Sequence, residues 1–120
     1  MANTPKVFES EYRFCLILWE NEPMTCSNLA KLAKEKLEWS RTTTYTVIKR
    51  LCDRGVLANN NSVITSIVSK DEIQLAELEE MYEKRFEKDL PAFIAAFAKQ
   101  QNLSESDVEE IKRIIDGAGK

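Results

Sequence analysis

Apolar residues recur along this chain at intervals of three and four, the spacing of one face of an α-helix. From Glu9 to about Glu20, Tyr12, Cys15, Leu16 and Trp19 fall on such a face, and Phe14, Ile17 and Leu18 widen it. Asn21-Glu22-Pro23 breaks the pattern. Thr25 is then placed to cap a second helix reaching about Leu37, with Leu29, Leu32, Ala33 and Leu37 inward and Lys31, Lys34, Glu35 and Lys36 outward. Trp39-Ser40 ends that segment. The Ser40 hydroxyl can accept an orphan backbone N–H at the start of a third helix, from Arg41 to about Arg54, and Gly55 supplies its left-handed stop.

The period then changes. Val56-Leu57-Ala58 and residues 62–68 predict two strands, joined by a turn at Asn59-Asn60-Asn61 because Asn tolerates positive φ. Ser69-Lys70-Asp71-Glu72 forms a capping box that opens a fourth helix, to about Lys88, with an inner line of Ile73, Ala76, Leu78, Met81, Tyr82 and Phe86. Pro91 stands in the first turn of a fifth, about Leu90 to Gln100, with Phe93, Ile94, Phe97 and Ala98 inward. Ser104 caps a sixth, about Glu105 to Asp116, on which Val108, Ile111, Ile114 and Ile115 are apolar and which Gly117 ends.

The expected fold is therefore mainly α: three helices, a two-stranded hairpin, then three helices more. Three compact helices followed by a hairpin is the winged helix-turn-helix plan. The link between the second and third helices is only Glu38-Trp39-Ser40. So short a turn makes them cross steeply, and one can enter a groove while the other braces it. The expected division is residues 1–69 as a winged head and 70–120 as a helical tail.

Composition narrows the function. Three Gly and three Pro in 120 residues are too few for a turn-rich β protein. No run of about 18 apolar residues is present to span a membrane, and Met1 to Lys6 has no apolar signal core, so a cytoplasmic protein is expected. There is no histidine, which removes Ser-His-Asp and Cys-His catalysis and His-ligated zinc. With no Gly-rich phosphate loop and no carboxylate pair set in an evident cleft, neither an enzyme nor a cofactor or metal is expected. Cys15, Cys26 and Cys52 match no paired spacing and read as small buried hydrophobes, with a thiol sensor or metal site as the alternative. Net charge is −3 overall, but residues 1–58 carry nine Lys/Arg against seven Asp/Glu and the rest eight against thirteen. A mildly basic head and an acidic tail suit a nucleic-acid head with a partner-binding tail.

The third helix carries the candidate chemistry. At about 100° per residue, centring Leu51 on the core places Thr44, Val47 and Ile48 inward. Thr42, Tyr45, Thr46, Lys49 and Asp53 then point away, with Arg41, Thr43, Arg50 and Cys52 on the flanks. Arg can pair bidentately with guanine, Thr offers hydroxyl and methyl groups to base edges, and Lys and Arg meet phosphates. Four β-branched residues are a poor choice for a merely solvated helix.

Trp39-Ser40-Arg41-Thr42-Thr43-Thr44-Tyr45-Thr46-Val47-Ile48-Lys49-Arg50-Leu51, then Arg54-Gly55-Val56-Leu57, resembles the recognition-helix signature of the penicillinase-repressor family (the BlaI/MecI/CopY type). Glu11-Tyr12 to Trp19-Glu20 resembles that family's first helix. Ala92-Phe93 to Phe97 and Leu103-Ser104 to Ile115-Asp116 resemble its dimerisation region. The resemblance implies a bacterial repressor that binds a pseudo-palindromic operator as a homodimer, with residues 41–54 in the major groove. It implies DNA contacts from Arg41, Thr42, Thr43, Tyr45, Thr46, Lys49 and Arg50. It implies dimer contacts from Phe93, Ile94, Phe97, Val108, Ile111 and Ile115. A sensor protease is a further partner in many members.

Four departures stand out. The hairpin has no Lys or Arg between Val56 and Ser69, so a weaker salt-dependent affinity is expected. No Asn-Phe dipeptide occurs, the cleavage site of the penicillin-responsive members. No Cys follows Cys52, so the Cys-rich tail of the copper-responsive members is missing. Phe8 stands where a small helix cap is expected, so that Ser10 or an earlier residue would have to serve. The uncharged wing and net acidity leave a second reading, a winged-helix adaptor that docks another regulator and binds DNA weakly or not at all.

Overall fold

A computed structural model of the chain describes residues 4–119. The element order is α1 (Glu9–Asn21), β1 (Met24–Thr25), α2 (Cys26–Leu37), α3 (Arg41–Asp53), β2 (Leu57–Asn60), β3 (Val63–Ser66), α4 (Lys70–Arg85), α5 (Leu90–Gln100) and α6 (Glu105–Ala118). The fold is the expected one, a winged-helix head followed by a helical C-terminal region. Two compact units divide the chain, one through Leu78 and one from Glu79.

In the first unit the caps act as their residue types dictate. Thr25 accepts the Asn28 N–H at 3.1 Å, and Ser40 accepts that of Thr43 at 3.1 Å. Each satisfies a donor that the helix itself leaves orphaned. Glu38 and Gly55 take the left-handed conformation, φ 59° and 84°, and end α2 and α3. The core gathers Phe14, Cys15, Leu18, Leu29, Ala33, Ile48, Leu51, Leu57, Ile64 and Ile73. Trp39 stacks on Phe14, ring centroids 5.3 Å apart and planes 15° from parallel. That stack pins the short α2–α3 link to α1.

The wing departs from expectation in two ways. It is a three-stranded antiparallel sheet in the order β1-β3-β2, because Met24 and Thr25 pair with Ile64 and Val63. The turn is Asn61-Ser62, not Asn59-Asn60-Asn61: Asn59 and Asn60 continue β2 opposite Ile64 and Val63. Asn61 and Ser62 have φ 53° and 69°, and a two-residue hairpin loop needs positive φ at both positions to match strand twist. Two side chains anchor the exit of the wing. The Trp19 indole donates to the Val68 carbonyl at 3.0 Å, and the Glu22 carboxylate accepts the Ser66 backbone N–H at 2.7 Å and its hydroxyl at 2.8 Å.

Further corrections concern single residues. Phe8 itself occupies the cap position of α1; neither Ser10 nor an earlier residue caps it. Glu11 reaches back three positions to accept the Phe8 N–H at 3.0 Å, the half of a capping box that needs no small residue in front. Cys26 and Cys52 are half-buried, and of the cysteines Cys15 alone is sealed in the core. Helix α4 stops at Arg85, and Ile73 is its only buried residue among those described. Gly117 does not end α6, which runs on to Ala118.

Within the second unit Phe93 packs against Tyr82 and Phe86, ring centroids 5.7 and 5.1 Å away. Asp89 caps α5 through the Ala92 N–H at 3.1 Å, and Ser104 caps α6 through that of Asp107 at 3.0 Å. Neither α5 nor α6 has a buried residue. No helix of the described residues is long and apolar enough to cross a membrane.

Candidate nucleic-acid interface

The two sides of α3 separate as helical spacing requires. Thr44, Val47, Ile48 and Leu51 are buried, while Arg41, Thr42, Thr43, Tyr45, Thr46, Lys49 and Arg50 are all exposed. The seven residues of the sequence-derived face therefore form one continuous surface on a helix whose other side is bolted into the core.

The start of that surface is organised by Ser40 and Thr43. Ser40 accepts the Thr43 N–H and donates its own hydroxyl to Thr43 Oγ1 at 2.9 Å. The Thr44 hydroxyl turns back to the Ser40 carbonyl at 3.1 Å, and among the described residues no buried side-chain polar atom is left unpaired. Thr46 makes the same turn to the Thr42 carbonyl at 3.0 Å. Its methyl group and oxygen lone pair then remain available on the outer side.

Charge along the face is lightly tethered. Arg41 lies over the Tyr45 ring, 5.3 Å from its centroid, and donates Nε–H to the Tyr45 hydroxyl at 3.0 Å. Lys49 pairs with Asp53 at 3.4 Å, both side chains well exposed. Exposed ion pairs of this kind contribute about 0–1 kcal/mol, so a phosphate can take the place of Asp53 on Lys49.

Beneath the face runs a firmer latch. Glu11 is buried and carries the Arg54 guanidinium, which also donates to the Lys6 carbonyl at 2.7 Å. Burial pushes the Glu11 carboxyl up. The Arg54 hydrogen bond, the Phe8 N–H and the positive charges of Arg54 and Arg50 outweigh that and hold it below its ordinary value. The latch ties the end of α3 to the start of α1.

Two hollows flank α3. One of about 350 Å³ lies between Ser10, Trp39, Thr43 and Arg50. The other, about 420 Å³, lies between α3 and the wing and is lined by Cys26, Tyr45, Ile48, Lys49, Cys52, Asn59 and Ser62. Periodicity did not mark Asn59 and Ser62 as neighbours of α3, because their position follows from the hairpin register. A hairpin read with its turn at Asn61-Ser62 would have placed them there. Among the described residues no group of three or more His, Cys, Asp or Glu gathers to hold a metal ion.

The residues assigned to the tail lie in the other unit. Ile94, Phe97, Ile111 and Ile115 are exposed, and Phe93 and Val108 are half-buried.

The sequence pattern of the family described as "Penicillinase repressor" matches residues 8–117. The chain is similar to the methicillin resistance regulatory protein MecI of Staphylococcus aureus strain Mu50, with 21% identity over 94% of this chain and 95% of the relative. The MecI protein of Mammaliicoccus sciuri is 20% identical over the same shares. A penicillinase repressor of Staphylococcus aureus is 22% identical, covering 100% of this chain and 99% of that protein.

Proposed function

This chain belongs to the penicillinase repressor family, and from that premise we propose that it represses transcription by binding an operator as a homodimer. Each α3 enters one major groove. Arg41, Thr42, Thr43, Tyr45 and Thr46 meet base edges, and Lys49 and Arg50 meet phosphates. Residues 1–69 are the DNA-binding part and 70–120 the dimerising part, through Phe93, Ile94, Phe97, Val108, Ile111 and Ile115. The observation that supports this most is the exposure of all seven α3 residues over a buried inner side.

Dimerisation supplies what one head lacks. A single α3 makes few phosphate contacts, and the wing adds no Lys or Arg of its own. Linking two heads raises affinity through effective concentration, provided both half-sites lie within reach. Two-fold symmetry then calls for half-sites about one helical turn (~34 Å) apart, or a multiple of it.

The chemistry of the wing supports a second reading, an adaptor that docks a regulator and binds DNA weakly. Gel-shift and footprinting with the DNA upstream of the protein's own gene, repeated across salt concentrations, separate the two. A protected palindrome and steep weakening with salt are expected. Flat or absent binding would replace the repressor by the adaptor. A sensor protease is the signalling partner of many members; a gene for a membrane-bound metalloprotease beside this one would identify it.

A further inference from the structure

Two of the three cysteines line the same cleft. Cys26 opens α2 and Cys52 lies near the end of α3, yet both line the cleft between α3 and the wing, over Ile48 and beside Tyr45 and Lys49. Both are free, half-buried thiols. The Asn59 amide reaches to 3.9 Å from Cys26 Sγ. Cys15 differs: burial, helped by the Glu11 charge against that of Arg54, pushes its thiol up to about 12.

The cleft selects a class of ligand. Burial first, then the negative charges of Asp53 and Cys26, push the Cys52 thiol up against the pull of Lys49. The Cys26 sulfur thus lies near enough to act on Cys52 across the cleft. A raised thiol holds little thiolate and reacts slowly with peroxides. A soft cation instead displaces the proton and takes the sulfur as thiolate. Without a group of three or more His, Cys, Asp or Glu among the described residues, a four-ligand zinc ion finds no cage. An ion content with two sulfur ligands needs no more than this pair.

We propose that Cys26 and Cys52 form a two-thiolate site for a soft, thiophilic cation of the mercuric class, and that filling it disables the face of α3. Two S–H bonds and, for mercuric chloride, two Hg–Cl bonds break, two Hg–S bonds form, and two protons and two chloride ions leave to solvent; no electrons are transferred. The ion lies behind Tyr45 and Lys49 and ties the end of α3 to the start of α2, wedging the helix against the wing. The effect on DNA rests on the operator reading above; the ion site itself does not.

The test loads the full-length chain with one equivalent of mercuric chloride and challenges it with excess 2-mercaptoethanol. Native mass spectrometry is expected to find one ion retained per chain. Cys26→Ser and Cys52→Ser should each weaken retention about a hundredfold, the loss of a chelate's effective concentration, and Cys15→Ala should leave it unchanged. Retention by either serine variant as in the wild type, or loss in a folded Cys15→Ala, overturns the site. Iodoacetamide mapping of the wild type decides it independently of any variant: mercury should protect the Cys26 and Cys52 peptides, and failure to protect both overturns the site. Where the ion-free chain binds its upstream DNA, mercury should release the wild type and spare Cys26→Ser. Equal DNA binding with and without a retained ion overturns the coupling. An ion-free chain that binds no DNA overturns the operator reading, and retention alone then decides the site.

Discussion

At the scale of single residues, charge on the outer side of α3 and charge beneath it answer to different tests. Lys49 is exposed and loosely held by Asp53, so its free energy is available to a phosphate. Lys49→Ala is expected to weaken operator binding and to lower the slope of log affinity against log salt by about one. Asp53→Asn removes a repelling charge from the same face and should strengthen binding. Both variants should melt like the wild type, and unchanged gel shifts in both would remove this face from the interface. The Glu11–Arg54 latch belongs to stability instead. Arg54→Met leaves a buried carboxylate without its cation and should cost about 2 kcal/mol at neutral pH, less than a fully buried pair because Arg54 is partly exposed. The Glu11 carboxyl is held below 4.5 in the folded chain. Its contribution is therefore complete above that value and fades as pH falls through the lowered one. Urea unfolding should show the gap between variant and wild type narrowing as pH falls, because the variant's unpaired carboxyl takes up a proton before the wild type's does, and closing once the lowered wild-type carboxyl is protonated too; a constant gap would mean that Glu11 is not the group involved.

At the scale of elements, legibility followed the length of the pattern. Helix α3 offers thirteen residues, enough turns for the inward line of Thr44, Val47, Ile48 and Leu51 to fix its rotation, and its ends, the Ser40 hydroxyl and the left-handed Gly55, each have one evident task. Strand β1 is two residues long, and no periodicity can be read in a dipeptide. Its pairing with β3 arises only once the chain has folded. The turn was misplaced for a related reason. Three successive Asn residues all tolerate positive φ, and the choice among them was made by register, which carries Asn59 and Asn60 into β2. That register leads to a prediction. Ser62 holds φ at 69°, a conformation that strains a residue with a Cβ, and glycine after asparagine is the favoured pair for this loop. Ser62→Gly should stabilise the head by about 0.5–1 kcal/mol despite glycine's freedom in the unfolded chain. The Cys26 N–H to Ser62 carbonyl bond, 2.8 Å, uses only backbone and survives the change. A lower melting temperature would show that the serine hydroxyl matters more than the strain.

At the scale of the whole molecule, the two units contrast in what they bury. The first has a closed core of side chains from α1, α2, α3, the wing and Ile73. In the second, no residue of α5 or α6 is fully buried, and Phe97 and Ile114 remain 69% and 61% exposed. The spacing of apolar residues says that a helix has an apolar face but not what covers it. This is why the sequence marked Ile94, Phe97, Ile111 and Ile115 as facing something without saying whether it was the same chain. A unit of this size without an interior of its own cannot be held by a core, and apolar rows of this extent mark an interaction surface. In the proposed homodimer a second copy would cover such rows with rows of the same kind, as a two-fold interface requires. Phe97→Asp would place a charge among them and should shift the chain to monomer in sedimentation equilibrium. Phe93 is engaged by Tyr82 and Phe86 within its own chain, so Phe93→Asp should disturb the unit itself as well as its association. The head has its own core and should keep its fold in the Phe97→Asp monomer, visible as unchanged near-ultraviolet signals from Trp19 and Trp39. Operator binding by that monomer should weaken far more than loss of one phosphate contact explains, because the effective concentration of the second head is gone. A Phe97→Asp dimer, or a monomer that binds DNA as tightly as the wild type, would separate the tail from the affinity assigned to it.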